Sequence, residues 1–71
     1  MPSAKICVLF GKRVRAERQR LELSQQSAAE RAGLSISYWG QVEKARVNVS
    51  LANAEKIARA LGVKIRELIE E

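Results

Sequence analysis

Apolar residues recur along this chain with the period of a helix, and serine or glycine interrupts them at short intervals. From about Ser3 to Leu21, the residues Ile6, Phe10, Val14 and Leu21 fall in one narrow stripe, while Lys12, Arg15 and Gln19 point away from it. Ser3 is the expected cap of this first helix. Gly11 lies inside it, either as a weakness of about 1 kcal/mol against Ala or as the mark of a close helix contact. A second, short helix is predicted over about Gln25 to Ala32. Ser24 is its N-cap, Gly33 its C-terminal residue with positive φ, and Ala28, Ala29 and Ala32 its inner face. A third follows Ser35 and runs to about Lys44. Trp39 and Val42 face inward there, and Ser37, Gly40, Gln41 and Lys44 cluster on the opposite face. A fourth follows Ser50, with Leu51, Ala54, Ile57, Ala58 and Leu61 in an amphipathic stripe that Gly62 ends. A fifth spans Lys64 to Glu70, with Ile65, Leu68 and Ile69 on one side. The only proline is Pro2, so none breaks a later helix. The expected fold is all-α, a compact five-helix bundle formed as one domain over residues 1–71.

The join between the second and third helices is the most informative stretch. A short helix, the turn Gly33-Leu34-Ser35 and another helix make a helix-turn-helix, here about residues 25–44. Helices that cross closely need a small residue at the contact, and Ala29 supplies it. The tight turn needs positive φ, and Gly33 supplies that. Ala28, Ala32, Leu34, Trp39 and Val42 are the apolar residues that fasten the pair.

Composition narrows the partners. The chain has 13 Lys+Arg against 8 Asp+Glu, a net charge of +5, and no histidine. The excess is uneven: residues 1–31 carry seven basic and three acidic residues (+4), and residues 32–71 six and five (+1). An anionic partner is expected. One cysteine, Cys7, excludes a disulfide framework and a His/Cys metal cage within one chain, and no metal or cofactor is expected. Cys7 itself reads as an inert thiol at the edge of the core. The apolar run Ile6–Phe10 is too short for a signal peptide, and no run is long enough to span a membrane. A reduced, cytoplasmic, nucleoid-associated protein is the expectation.

The stretch Leu23-Ser24-Gln25-Gln26, Ala29-Glu30-Arg31-Ala32-Gly33-Leu34-Ser35, Tyr38-Trp39, Val42-Glu43, Asn48-Val49-Ser50-Leu51 and Ile57-Ala58-Arg59-Ala60-Leu61-Gly62-Val63 resembles the XRE family. These are the Cro and phage-repressor type of helix-turn-helix DNA-binding proteins. The likeness covers roughly Leu9 to Leu68, and the entry into the fourth helix is similar to restriction–modification controller proteins. It implies a lambda-repressor-like domain and a transcription regulator that binds double-stranded DNA, as a homodimer on a roughly palindromic operator. RNA polymerase stands as a further candidate partner.

A recognition helix of this type meets base edges with its N-terminal part and outward face, here Ile36, Ser37, Tyr38 and Gln41. Gln41 can pair bidentately with adenine, Ser37 can donate or accept, and the Ile36 side chain suits a thymine methyl. The family often carries Arg or Gln at the position of Ile36. The competing reading of this face is a solvated polar surface. Gln25, at a helix N-terminus, is the position at which the family contacts phosphate, and Lys44, Arg46 and Asn48 are expected to grip phosphate too. The resemblance also pairs Arg18 with Glu43 as a partly buried ion pair between the first and third helices. Helical phase alone does not choose Arg18 over Glu17. Trp39 stands where the family usually has Leu or Ile, and is expected in the core rather than as a base-stacking platform. Glu22 stands where the family often has Gly, so it carries strain if positive φ is needed.

Dimerisation is assigned to Ile65, Leu68 and Ile69 with flanks of the fourth helix, against the alternative that these residues close the monomer core, as Leu68 at least is expected to do. The runner-up function is an antitoxin-type protein-binding module that also autoregulates its operon. An enzyme is not expected, because no nucleophile–base pair, metal set or phosphate-cradling glycine loop is present.

Overall fold

The computed structural model describes residues 4–70 and consists of α1 (Lys5–Arg20), α2 (Gln25–Ala32), α3 (Ile36–Glu43), α4 (Leu51–Leu61) and α5 (Ile65–Ile69). Three of the five helices start on serine. Ser24, Ser35 and Ser50 have extended backbone, and their hydroxyls accept from Ser27 N, Tyr38 N and Asn53 N at 3.0, 3.0 and 3.1 Å. Each hydroxyl satisfies an N–H that the helix geometry leaves without a partner. The Ser3 cap lies outside the described residues; α1 is capped at Ala4, whose side chain offers no hydrogen bond. Lys64 is the N-cap of α5 rather than its first residue, and its N–H donates to Glu67 Oε2 at 2.9 Å.

Four helices end in the same way. A left-handed residue follows the last turn, and the N–H after it reaches back five residues: Leu23 to Arg18 O, Leu34 to Ala29 O, Arg46 to Gln41 O and Val63 to Ala58 O, at 2.9–3.1 Å. Gly33 and Gly62 hold this position at φ 71°, where glycine meets no steric penalty. The other two positions are Glu22 at φ 57° and Ala45 at φ 56°. A Cβ in this region costs about 1–2 kcal/mol, so both turns are strained.

The core is one cluster to which all five helices contribute. Phe10 and Val14 of α1 join Ala28, Ala29 and Ala32 of α2, Trp39 and Val42 of α3, Ala54, Ile57, Ala58, Ala60 and Leu61 of α4, and Leu68 of α5. The α2 alanines share this cluster with the fully buried Trp39, so a large residue is balanced by small neighbours. Helix α1 lies on α3 and α5, and α2 lies on α3 and α4. Gly11 proves to be a close contact and not a tolerated weakness. A Cβ there would sit 2.5 Å from Val42 O and 3.0 Å from Glu43 O, so only glycine lets α1 come this close to the end of α3.

Two sequence expectations are corrected by the fold. Ile6 shares a groove with Phe10 but is 55% exposed, because the first turn of α1 reaches past the core. Leu21, the C-cap of α1, is half-buried and packs against the core as its place in the stripe implies. Leu68 is completely buried within its own chain, so its side chain is not available to a second copy. Among the described residues no helix is long and apolar enough to cross a membrane.

These contacts set the sign of two substitutions in urea unfolding. Ala45→Gly is expected to raise the unfolding free energy by about 0.5–1 kcal/mol, since relief of the left-handed strain exceeds the entropy that glycine adds to the unfolded chain. Gly11→Ala is expected to lower it by about 1–3 kcal/mol despite alanine's better helix propensity. The reverse order would contradict this account of the α3 terminus.

Candidate nucleic-acid interface

Helix α3 has one buried side and one open side. Trp39 and Val42 are in the core, while Ile36 (50% exposed), Ser37 and Gln41 are open to solvent. Tyr38 departs from the outward face on which it was expected. It is one turn before Val42, so it borders the buried stripe, and it is half-buried against the core. Its hydroxyl accepts from Asn53 Nδ2 at 3.1 Å, which ties α3 to α4. Gly40 lies between Ser37 and Gln41. A Cβ there would meet only Gln25 Oε1 at 3.8 Å, an ordinary contact, so nothing within the fold requires glycine at this position.

The orientation of α3 is held by a knot of side chains around Glu43. Its Oε2 accepts from Arg18 Nε at 2.6 Å and from Trp39 Nε1 at 2.7 Å. Its Oε1 accepts from Gln25 Nε2 at 3.0 Å and from Arg18 Nη2 at 3.1 Å. Arg18 Nη1 also donates to Leu23 O at 2.9 Å, beside the α1–α2 turn. Three helices thus converge on one carboxylate that is 4% exposed, and no buried polar side-chain atom among the described residues lacks a partner. The Arg–carboxylate fork is bidentate, the geometry in which such pairs are strongest.

Burial by itself pushes the Glu43 carboxyl up. Hydrogen bonds from Arg18, Gln25 and Trp39, with the Arg18 charge, outweigh burial and hold the carboxyl below its ordinary value. The same contact with Glu43 raises the Arg18 guanidinium, against the effect of its own burial.

Gln25 is therefore a structural residue as well as a candidate contact. One amide hydrogen goes to Glu43, which leaves the second and the backbone N–H groups of Gln25 and Gln26 for an outside acceptor, since the Ser27 N–H is taken by Ser24. Lys44 is the C-cap of α3 and is exposed, as are Arg46 and Asn48 in the turn that follows. Asn48 Oδ1 accepts a 3.5 Å contact from Cys7 Sγ, which brings it to the start of α1. Of the interface residues named above, Ile65 is half-buried and Ile69 is 37% exposed. Both line an apolar groove of about 160 Å³ with Ile6, Phe10, Val49 and Leu51, and Leu51 is 81% exposed.

Two features escape a reading of the sequence by stripes. Trp39 donates to Glu43, and their i, i+4 spacing on α3 is the signal that could have revealed it. Arg15 is the other. It lines a cleft with Arg18, Gln25, Glu43 and Lys44, and the sequence shows it three residues before Arg18 and four after Gly11.

A short helix packed across a second, whose buried back and open polar front are fixed by a tight turn, defines a helix-turn-helix protein. Residues 9–71 match the family described as "Helix-turn-helix domain". The chain is 39% identical over 61 residues to the immunity repressor protein of Bacillus phage phi105, and spans 86% of itself but 42% of that repressor. It superposes on the restriction-modification controller protein C.AhdI from Aeromonas hydrophila with a TM-score of 0.85 and 47% identity, covering 87% of this chain and 94% of that one. It superposes on the P22 c2 repressor, solved in complex with a synthetic operator, with a TM-score of 0.81 and 26% identity, covering 87% and 94% of the two chains. The chain belongs to the helix-turn-helix family of DNA-binding transcription regulators that includes the restriction–modification controller proteins.

The knot makes stability depend on acid in one direction. Because the folded Glu43 carboxyl is held below its unfolded value, its contribution is complete above the ordinary carboxylate range and is lost as pH falls through the folded value. Urea unfolding followed by Trp39 emission is expected to show stability falling below about pH 4.5. Glu43→Gln is expected to weaken this dependence and lower the neutral plateau by about 3–5 kcal/mol, the usual cost of breaking a buried pair. An unchanged acid limb in Glu43→Gln would contradict the assignment.

Proposed function

We propose that this chain regulates transcription by binding a roughly palindromic operator as a homodimer, with α3 of each copy in the major groove. The observation that carries this reading is the fixed, open face of α3, where Ile36, Ser37 and Gln41 stand together while the opposite side is buried. Gln41 reads adenine through two hydrogen bonds, Ile36 meets a thymine methyl, and Ser37 adapts to either. The bare backbone at Gly40 supports close approach, since a glycine in a helix costs about 1 kcal/mol and nothing within the fold asks for it. Lys44 and Arg46 at the end of α3, Asn48 beyond it and Gln25 at the start of α2 hold backbone phosphates. Tyr38 has a positioning role through Asn53. Such a regulator works in the cytoplasm, on the nucleoid.

The homodimer reading rests on the apolar groove. Leu51, Ile6 and Ile69 are exposed large apolar side chains at its border, and they lie where α1, α4 and α5 meet. An operator read by two copies doubles the number of bases seen, with half-sites about one helical turn apart. Ile65 and Ile69 remain in this interface, whereas Leu68 supports them from the core.

Titration with DNA selected from a random pool is expected to give a two-fold symmetric site and affinity that falls linearly with the logarithm of salt. In that assay Gln41→Ala should cost about 1–3 kcal/mol and relax preference at one base pair per half-site. Equal affinity for all sequences would refute specific recognition. Leu51→Glu is expected to retain the helical spectrum and melt cooperatively, but to sediment as a monomer and bind the operator weakly. A Leu51→Glu dimer as tight as the wild type would move the interface elsewhere.

A further inference from the structure

Tyr38 and Asn53 hold the same position in different helices. Each is the third residue after a serine cap, Tyr38 after Ser35 in α3 and Asn53 after Ser50 in α4. Each donates its backbone N–H to that serine's hydroxyl, at 3.0 and 3.1 Å. Asn53 Nδ2 then donates to the Tyr38 hydroxyl at 3.1 Å, and both residues are half-buried. The contact therefore joins the capped first turn of one helix to the capped first turn of the other.

Little else connects these two helices directly. Helix α3 lies on α1 and α2, and α4 lies on α1, α2 and α5. The Glu43 knot fixes the far end of α3 against α1 and α2 and does not reach α4. Among the described residues no other side-chain hydrogen bond or ion pair joins α3 to α4. What remains between them is apolar core packing, which carries little directional preference, whereas a hydrogen bond has direction.

The first turn of α4 also has a second side. Leu51 and Ala54 line the apolar groove, and Leu51 is 81% exposed. Asn53 is two residues from Leu51, and residues so spaced do not face each other on a helix. One turn of α4 thus carries groove residues on one side and the tie to α3 on the other. In a two-fold dimer joined at the groove, the path from one α3 to the other runs through both copies of α4. Any change in the angle between α3 and α4 then enters twice.

We infer that the Tyr38–Asn53 hydrogen bond sets the half-site spacing that the dimer accepts. This inference rests on the reading above of a DNA-binding homodimer with the groove between copies. Tyr38 and Asn53 are positioning residues, and they separate operators whose half-sites are identical but whose spacers differ. One added base pair moves a half-site about 3.4 Å along the DNA axis and about 35° around it. A dimer with a fixed angle between α3 and α4 meets that change only by straining itself or the DNA.

The test uses the operator selected from the random pool, the same operator with one base pair added to or removed from its centre, and a duplex holding one half-site. Wild type, Tyr38→Phe, Asn53→Ala and Asn53→Asp are titrated with each, and thermal melting checks folding. Tyr38→Phe keeps the ring in its place. Asn53→Asp accepts from the Tyr38 hydroxyl where Asn53 donates to it, so the tie is kept with its direction reversed. The wild type is expected to prefer the selected spacer. Tyr38→Phe and Asn53→Ala are each expected to shrink that preference about three- to tenfold, the equilibrium worth of one hydrogen bond. Half-site affinity and sedimentation as a dimer should stay unchanged, and Asn53→Asp should keep the preference. If Tyr38→Phe does not fold, Asn53→Ala decides, because its backbone N–H still reaches Ser50. A wild-type preference that Tyr38→Phe and Asn53→Ala both keep would overturn the inference and leave the homodimer reading standing. Loss in Asn53→Ala with none in a folded Tyr38→Phe would overturn it too, since the two ends of one bond must act alike. Variants that lose half-site affinity but keep the spacing preference would place Tyr38 on the DNA and overturn it. A wild type that binds the single half-site as tightly as the whole operator would overturn both the inference and the homodimer reading.

Discussion

A carboxylate taken out of water at the meeting point of three helices is tolerable only if its lone pairs are met, and the arrangement of this protein follows from the way Glu43 meets that condition. Arg18 from α1, Gln25 from α2 and Trp39 from α3 all donate to it. The apolar core holds the helices together through contacts that carry little directional preference. The hydrogen bonds to Glu43 have direction, and they fix how α3 is turned. Gly11 is part of the same constraint, since only the absence of a Cβ brings Arg18 of α1 near enough to reach Glu43.

The knot also sorts the basic residues. Arg18 is absorbed in it, so its charge is neutralised inside the fold. Arg13 and Arg31 donate to the carbonyls of Glu67 and Ala60, and tie α1 to α5 and α2 to α4. The remaining cations near α3 are Arg15, Lys44 and Arg46, all exposed. A net charge of +5 thus resolves into a few charges beside the open face of α3 and several that act as fasteners. The apolar groove lies apart from these charges, where α1, α4 and α5 meet, and is lined by Ile, Leu, Val and Phe side chains.

Local chemistry was readable in the sequence, and tertiary chemistry was readable only in part. The serine caps at 24, 35 and 50 and the glycine ends at 33 and 62 depend on neighbours within a few residues, and their positions match the expectation. Glu22 at positive φ followed from the family pattern, whereas Ala45 did not, because alanine's own preference argues against the left-handed turn that the packing of α3 imposes. Trp39 is legible as core, but an apolar stripe does not show its N–H contact with Glu43. Tyr38 sits on the border between the buried and open sides of α3, where one residue of phase decides, so periodicity turns it outward and the fold half-buries it. Leu68 fits both a core and a partner surface in the sequence, because apolar periodicity does not distinguish the two, and the fold buries it. The place of Arg15 is hidden for a related reason: phase shows that a side chain faces outward, but not what lies opposite it.

The most direct measurement is a double-mutant cycle on Arg18 and Glu43, using Arg18→Met, Glu43→Leu and the pair, read by unfolding free energy at neutral pH. If the knot sets the arrangement of the helices, each single change leaves a buried charge without its partner and costs about 3–5 kcal/mol. The double change should then recover much of that loss, with a coupling of at least about 1.5 kcal/mol. Single changes that cost little and add without coupling would contradict the account.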